Sequence, residues 1–337
     1  MNGHRILTTT IGSYPVPDWL PALPSEQARL DATRVVFDIQ RQAGIDLPTD
    51  GELYRFDVNI PDTNGMIDYF VRPMGGIRAR LSRSEAESFA RVAGMSFRAK
   101  AAGVAVERVS EGSLNLMADC RLTAAVAGGP FKFTVTSPYM LARTLLDRCY
   151  GGDGASLTMA IAEVLAAQVA GLPCDCLQVD EANLPGSPEH WRLAAAAVNT
   201  VLRAYQGTRK GVHLCFGNYG GQTIQAGAWK NLIEFLNAIE ADHVLLECAH
   251  RPTEDLAALR DVRPDLGLGI GVVDVKINHV ETADEIAARI ENAVRLFGPQ
   301  RVRWVNPDCG FWMLKRSVAD RKIAALAAGR NLYEGRR

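Results

Sequence analysis

Short apolar runs alternate with longer stretches of helical periodicity along most of the chain. Each apolar run ends in a cluster of polar residues, after which apolar positions recur every three or four residues. This alternation of strands with helices is typical of βαβ units, which build a parallel sheet. The predicted strands cover residues 5–13, 44–52, 131–137, 174–181, 211–217, 242–248, 266–274 and 302–308.

About eight strand–helix units in one undivided chain favour a closed barrel over an open sheet. The sequence has no Ser/Gly/Pro-rich linker, and no internal repeat at a fixed period is evident. We therefore predict an α/β fold, a single-domain (β/α)8 TIM barrel over residues 1–337. Residues 53–112 interrupt the rhythm, and we interpret them as an insertion, or lid, over one rim of the barrel.

Composition narrows the classes of function. The chain has 37 Lys and Arg residues against 38 Asp and Glu residues, so it carries no positive surplus for binding nucleic acid. The N-terminus lacks the apolar run of a signal peptide, and no apolar stretch is long enough for a membrane span. Seven cysteines suit reduced thiols or metal ligands better than a disulfide framework. These features predict a cytoplasmic protein with neither a nucleic-acid nor a membrane partner.

Polar side chains gather where the predicted strands end. In a (β/α)8 barrel the carboxyl ends of the strands lie on one face, where active sites are built. Capping of the following helices explains Ser or Asp at such places, but it does not explain a histidine, two cysteines and a glutamate. The residues at or just after strand ends are Ser13, Glu52, Ser137, Asp180, His213, Cys215, Glu247, Asp274, Asp308 and Cys309.

A metal site is the simplest interpretation of four of these residues. His213 and Cys215 are two positions apart, so in a strand both side chains point to the same face. Glu247 ends the next predicted strand, and Cys309 follows the last one. Imidazole, two thiolates and a carboxylate form a suitable tetrahedral set for Zn²⁺. We predict zinc at these four residues, whereas Cys176 lies deeper along its strand and is interpreted as a core residue.

This donor set favours alkylation of sulfur over hydrolysis. A free thiol is mostly protonated at pH 7, and coordination to zinc deprotonates it. Negatively charged ligands keep electron density on a bound substrate sulfur, whereas hydrolytic zinc sites usually have more neutral His ligands. Asp274 and Lys276, also two positions apart, are candidates for handling the proton of the leaving group or for a salt bridge at the barrel rim.

Several separated motifs, in this order, resemble the cobalamin-independent methionine synthase family. The similarity is to the family's C-terminal catalytic barrel and extends over nearly the whole chain. It implies a methyltransferase that converts homocysteine to methionine, with zinc at His213, Cys215, Glu247 and Cys309. It also implies that Ile11 and Ser13 bind the carboxylate of homocysteine, and that Glu52 and Asp180 bind its ammonium group. The motifs are residues 8–13, 50–52, 178–181, 213–215, 247 and 306–310.

Three departures from the family pattern bear on the methyl donor. This sequence has no counterpart of the N-terminal barrel that helps the full-length enzymes to hold polyglutamyl folate. The family's Asp-Ile-His motif appears here as Asp274, Val275 and Lys276, and no tryptophan lies near residues 136–139 for a pterin to stack on. We therefore expect a short, core-type member whose donor is a carrier other than methyltetrahydrofolate, such as methylcobalamin or a corrinoid protein.

Three other functions remain open from the sequence alone. An alkyltransferase acting on another thiol, such as coenzyme M with an epoxide, would use the same metal chemistry. Glu52 and Asp180 would repel the sulfonate of coenzyme M, although Arg55 lies close by in the sequence. A decarboxylase on a similar barrel, like the uroporphyrinogen enzymes, would need more basic residues and no zinc ligands. A closed structural zinc site is disfavoured because the ligands come from three separate strands.

Overall fold

The structure, a computed structural model, describes residues 5–55, 64–91, 98, 100–152, 154–218 and 222–336. The strands in this part of the chain are β1 (Leu7–Thr8), β2 (Gly75–Arg78), β3 (Gly103–Ser110), β4 (Lys132–Thr136), β5 (Leu145–Asp147), β6 (Cys176–Glu181), β7 (Arg209–Leu214), β8 (His243–Leu246), β9 (Gly267–Val273) and β10 (Val302–Pro307).

Helices follow most of the strands, as the periodicity predicts. The α-helices are α1 (Trp19–Ala22), α2 (Glu26–Ala43), α3 (Asp68–Val71), α4 (Arg83–Phe89), α5 (Leu116–Ala127), α6 (Pro138–Arg143), α7 (Ala155–Val169), α8 (Trp191–Ala204), α9 (Ile233–Ala238), α10 (Thr253–Ala257), α11 (Ala283–Phe297) and α12 (Arg316–Tyr333). Short 3₁₀ helices cover Leu53–Arg55, Leu184–Gly186, Pro188–His190, Trp229–Asn231 and Ala258–Asp261.

One large parallel sheet curls through the described residues in the order β1-β10-β9-β8-β7-β6-β4. Residues 47–51 lie between its two ends, where Thr9 forms a parallel bridge with Leu47 and Thr49 forms another with Lys132. This segment thus takes the place of the remaining strand between β1 and β4. The predicted TIM-barrel fold is confirmed, and each predicted strand corresponds either to a strand of the large sheet or to this bridged segment.

The helices that surround the sheet begin at signals that are visible in the sequence. Ser25 caps α2 by accepting a hydrogen bond from the amide of Ala28. Thr282 and Glu285 form a reciprocal capping box at the start of α11. The apolar faces of these helices pack on the outside of the sheet, in a core that includes Val36 and Ile290. In the described residues, none of the helices has the length and apolar character that a membrane span requires.

Part of the irregular region 53–112 forms a small second sheet. Strand β3 pairs antiparallel with β2 and parallel with β5. Residues 56–63, 92–97 and 99 of this region lie outside the described residues. The interpretation of residues 53–112 as a rim insertion remains a prediction.

An ion pair near the start of β1 joins the first and last parts of the barrel. Asp46 Oδ2 accepts hydrogen bonds from the amide of Thr8 at 2.9 Å and from Arg330 Nη1 at 2.7 Å. The same Arg330 nitrogen donates to the carbonyl of Ile6 at 2.8 Å. Burial alone would raise the pKa of Asp46, but the Thr8 amide and the Arg330 guanidinium outweigh it, so the pKa lies below its usual value.

Replacing Asp46 by asparagine should lower the free energy of unfolding by about 1–3 kcal/mol at pH 7, because hydrogen bonds to a charged acceptor are lost. A carboxyl group whose pKa is depressed by folding stabilises the protein above its unfolded-state pKa, and this contribution disappears as the pH falls through the lower folded value. The difference between Asp46→Asn and wild type should therefore shrink below about pH 4. Urea unfolding at pH 7 and at pH 3.5 measures this difference in the free energy of unfolding. Equal stability of wild type and Asp46→Asn at pH 7 would contradict the prediction.

Candidate active site

A cleft opens at the carboxyl ends of the barrel strands. Its empty space, including the part open to solvent, is about 1060 Å³. The predicted site residues found in its lining are Ile11, Ser13, Glu52, Asp180, His213, Cys215 and Cys309. The cleft therefore unites the residues predicted to bind substrate with three of the predicted metal ligands. Within the described residues, Glu247, Asp274 and Lys276 are not part of this lining.

His213, Cys215 and Cys309 form a compact cluster at the cleft. One ligand atom from each of the three residues lies within 4.8 Å of the other two. The His213 Nδ1 atom lies 3.1 Å from the carbonyl of Leu245, so it must carry the proton in that hydrogen bond. The buried Nε2 atom has no hydrogen-bond partner among the described residues. An oriented imidazole with a free lone pair beside two sulfur atoms is a suitable set of donors for zinc.

The pKa values of the two cysteines in this cluster are shifted in opposite directions. The Cys215 thiol and the His213 imidazole lower the pKa of Cys309 to about 5. The contact with Cys309, together with burial, raises the pKa of Cys215 well above its usual value. Of the two thiols, Cys309 is therefore the more readily deprotonated, which favours it as a metal ligand. A thiolate is the form in which cysteine binds metal ions.

Glu247 lies beside this cluster, where cationic and polar groups surround its carboxylate. The side chain is fully buried. Lys276 Nζ donates to Oε1 at 2.7 Å, His250 Nε2 lies 3.1 Å from the same oxygen, and the amide of Phe216 donates to Oε2 at 3.1 Å. Burial would raise the pKa of Glu247, but the hydrogen bonds from His250 and Lys276 outweigh it and lower the pKa. Its role as a zinc ligand remains a prediction.

His250 connects Glu247 to Asp308, a contact that the sequence pattern does not reveal. His250 Nδ1 lies 3.0 Å from Asp308 Oδ2, and Asp308 Oδ1 accepts hydrogen bonds from the amides of Cys248 and Ala249, each at 2.8 Å. The hydrogen bonds with Asp308 and Glu247 raise the pKa of His250 to about 9. The imidazole is therefore charged at neutral pH and donates to both carboxylates.

Glu52 approaches the cleft from a strained backbone position. Its φ of 59° lies in the left-handed region, which non-glycine residues rarely adopt. Its Oε1 atom accepts a hydrogen bond from Thr134 and lies 3.2 Å from Arg55 Nη1. Gly12 makes room for this carboxylate, because a Cβ atom at that position would lie 2.2 Å from Glu52 Oε1. These contacts fix the carboxylate at the cleft wall.

Asp180 is the second carboxylate in the cleft. Its Oδ1 atom accepts a hydrogen bond from Gln178 Nε2 at 2.6 Å, and the same nitrogen donates to the carbonyl of Ile11 at 2.7 Å. Burial raises the pKa of Asp180 to about 7, against the lowering effect of His213. A buried carboxylate in this state gains a partner when a cation enters the cleft.

Asp274 and Lys276 lie behind Glu247 rather than in the cleft lining described above. The Asp274 Oδ1 atom accepts a hydrogen bond from the amide of Lys276 at 2.8 Å. Lys276 Nζ donates to Thr223 at 3.0 Å in addition to Glu247. Among the described residues, the ion pair of Lys276 is with Glu247 rather than with Asp274, and a role of Asp274 and Lys276 in proton transfer remains a prediction.

Sequence reasoning missed several residues of the cleft. Asn183 and Asn218 line it, and each has a buried side-chain amide nitrogen that has no hydrogen-bond partner among the described residues. Trp312 also lines the cleft and is 42% exposed. No tryptophan lies near residues 136–139, whereas Trp312, on the loop after β10, places an aromatic ring in the cleft lining. Tyr139 itself is buried and its hydroxyl meets His190 Nδ1 at 2.7 Å.

Comparison with known proteins identifies the family of this chain. Residues 6–330 match the family described as the catalytic domain of cobalamin-independent synthase. This chain belongs to the cobalamin-independent methionine synthase family. The chain is 26% identical to a methionine synthase of Saccharolobus solfataricus, over 96% of this chain and 93% of the relative. It is 28% identical to a methionine synthase of Thermococcus kodakarensis, over 96% and 91%.

Solved structures of similar proteins have the same fold. A B12-independent methionine synthase from Shewanella sp. W3-18-1, in complex with selenomethionine, matches with a TM-score of 0.80 at 22% identity, over 98% of each chain. A methyltransferase from Methanosarcina mazei matches with a TM-score of 0.61 at 11% identity, over 99% of this chain and 95% of that one.

Membership in this family contradicts the expected methyl donor and supports the expected class of reaction. The family is described as cobalamin-independent, which is contrary to the expected methylcobalamin or corrinoid-protein donor. The expectation came from the lack of an N-terminal barrel, from Lys276 in the Asp-Ile-His motif and from the lack of a tryptophan near residues 136–139. Membership in a methyltransferase family, by contrast, agrees with the transferase chemistry inferred from the donor set.

Proposed function

We propose that this chain is a zinc-dependent methyltransferase that methylates the sulfur of homocysteine to form methionine. One observation carries the proposal. His213, Cys215 and Cys309 place their ligand atoms within 4.8 Å of one another in a cleft that also contains Glu52 and Asp180. The cleft thus offers a place for a thiol and, on the same wall, a place for an ammonium group.

The residues present fit a zinc ion. His213 has a buried, unpartnered Nε2 atom among the described residues, and the Cys215 thiol and the His213 imidazole lower the pKa of Cys309 to about 5. In this proposal His213, Cys215 and Cys309 hold the ion, with Glu247 as the fourth ligand. Bound zinc would keep the thiol of a substrate deprotonated at neutral pH, and so nucleophilic.

The remaining cleft residues bind the amino-acid end of the substrate. Asp180 and Glu52 accept hydrogen bonds from the ammonium group, while Ile11 and Ser13 bind the carboxylate. Gln178 fixes the position of Asp180, and Arg55 fixes that of Glu52. Holding the substrate at this end places its sulfur beside the metal ligands and removes the entropic cost of aligning it for methyl transfer. The names of the relatives, methionine synthases, support this substrate.

We also propose that residues 1–337 form a single catalytic barrel and that residues 53–112 form a lid over its rim. Asn64, Met66, Ile67 and Arg98 from this region line the cleft, which supports a role near bound substrate.

Alkylation of another thiol, such as coenzyme M by an epoxide, is the second candidate function. The observation in its favour is the ion pair between Arg55 and Glu52, which neutralises one of the two carboxylates that would repel a sulfonate. Asp180 has no cationic side chain within hydrogen-bonding distance among the described residues, and this favours the ammonium-bearing substrate.

The test is an assay of zinc-loaded protein with homocysteine and, in separate reactions, methyltetrahydrofolate or methylcobalamin. The proposal concerns the acceptor and the metal, so formation of methionine with either donor supports it. Parallel reactions contain coenzyme M with an epoxide. Tighter binding of coenzyme M than of homocysteine would favour the second candidate. A Cys215→Ser variant that kept both its activity and its metal would contradict both candidate functions.

A further inference from the structure

Glu247 is held by an unusual number of donors for a residue expected to bind a metal. A carboxylate offers about four acceptor positions, and three donors are already directed at this one. They are Lys276 Nζ at 2.7 Å, His250 Nε2 at 3.1 Å and the amide of Phe216 at 3.1 Å. Among the described residues, its oxygens do not belong to the cluster in which His213, Cys215 and Cys309 lie within 4.8 Å of one another.

Lys276 is fixed on Glu247 by its own surroundings. Its side chain is only 7% exposed. The backbone amide of Lys276 donates to Asp274 Oδ1 at 2.8 Å, and its Nζ atom also donates to Thr223 Oγ1 at 3.0 Å. Asp274 is held in turn, because its amide donates to the buried carboxylate of Glu281 at 2.8 Å. The ammonium group is therefore placed on Glu247 by the loop after β9.

We propose that Lys276 is a positioning residue that competes with the metal for the Glu247 carboxylate and so keeps the fourth coordination position exchangeable. The proposal rests on the proposed zinc site. Zinc sites that bind a substrate directly keep one position open or replaceable, whereas closed sites hold four protein ligands.

In this proposal Lys276 also compensates the charge of Glu247 when that carboxylate is not bound to the metal. Two cysteine thiolates already balance the charge of a divalent zinc ion. If a substrate thiolate took the place of Glu247 on a bound zinc ion, the released carboxylate would remain fully buried, and an unpaired buried charge is strongly unfavourable. Lys276 and His250 provide partners for the released Glu247 carboxylate, so its departure exposes no unpaired charge.

The experiment compares zinc affinity in wild type and Lys276→Met, measured by competition with a chromophoric chelator. Partners outside the ligand set typically change metal affinity by about 10–100-fold. We expect Lys276→Met to bind zinc at least about 10-fold more tightly, because Glu247 becomes a permanent ligand. Homocysteine should bind the zinc-loaded variant about 10-fold more weakly, because its thiolate must displace that ligand. Cobalt-substituted protein reports the same change through its visible absorption spectrum.

A double-mutant cycle separates this effect from simple repulsion between a lysine and a divalent ion. In a Glu247→Gln background the Lys276→Met change should alter zinc affinity by less than about 3-fold, because the carboxylate for which Lys276 and the metal compete is absent. An equal gain in both backgrounds would mean that Lys276 acts on the ion through space, and would overturn the proposal. No gain in Lys276→Met would also overturn it. Lys276→Arg, which keeps the charge and the donors, should retain wild-type zinc affinity.

These outcomes are independent of whether homocysteine is the substrate. Zinc affinities in the four proteins of the cycle decide the role of Lys276 even if no methionine forms in the activity assay. Failure of the zinc site itself would instead appear as unchanged zinc content in the Cys215→Ser variant. Thermal unfolding of each variant verifies that the barrel is intact before its affinity is interpreted.

Discussion

Replacing Cys309 by serine should remove most of the zinc from the protein, from about one ion per chain to a small residual fraction. Cys309 is the more readily deprotonated thiol of the cluster, because Cys215 and His213 lower its pKa to about 5. A serine hydroxyl is not deprotonated in this way and is a far poorer ligand for zinc than a thiolate. Cys215→Ser should have the same effect, since Cys215 completes the sulfur pair. Metal analysis after dialysis against metal-free buffer measures both variants.

Cys176→Ser is the matched control for these substitutions. Cys176 is fully buried and packs with Leu245 and Trp304 inside the barrel, away from the cleft lining. Its replacement should leave the zinc content at the wild-type level while lowering stability somewhat, because a polar hydroxyl enters an apolar cluster. Full zinc retention in both Cys215→Ser and Cys309→Ser would refute the assignment of the metal site.

The barrel could be predicted because its sequence signal is repeated along the chain. Each apolar run that ends in polar residues corresponds to a strand of the large sheet or, for residues 44–52, to a bridged segment beside it. Parallel strands bring such ends together wherever they lie in the sequence, so His213 on β7 and Cys309 after β10 converge. The strand predicted over residues 44–52 is present only as the bridged segment 47–51, where Pro48 has no amide hydrogen to donate.

The partners of each site residue were much harder to predict than its position on the barrel face. Strand periodicity states which face a side chain occupies, but it does not state which neighbour it contacts across a loop. The contact between Lys276 and Glu247 joins the loops after β9 and β8, and it depends on how those loops fold. Trp312 lines the cleft for the same reason, since the loop after β10 turns back over the barrel. No periodicity in the sequence encodes either contact.

Asp180→Asn should weaken the binding of homocysteine by about 1.5–3 kcal/mol, the usual contribution of a hydrogen bond to a charged group. This corresponds to a loss of roughly 10–150-fold in affinity. Asparagine has nearly the same shape and can still accept the hydrogen bond from Gln178, so the barrel should be preserved. Zinc should stay bound, because Asp180 is not one of the proposed ligands. Isothermal titration measures the affinity, and Asp284→Asn, on the exposed first turn of α11, is the matched control.

The pH dependence of ligand binding is a second test of the proposal that Asp180 binds the ammonium group. Burial raises the pKa of Asp180 to about 7, so in the free protein this group is largely protonated below that pH and must lose its proton to pair with an ammonium group. Affinity should therefore rise by nearly tenfold per pH unit below about pH 7 and level off above it. Methionine is the suitable ligand, because it has no thiol whose own ionisation would add to the effect. The rise should be absent in Asp180→Asn, since an amide does not titrate, whereas a pH profile equal to that of wild type would place the ammonium group elsewhere in the cleft.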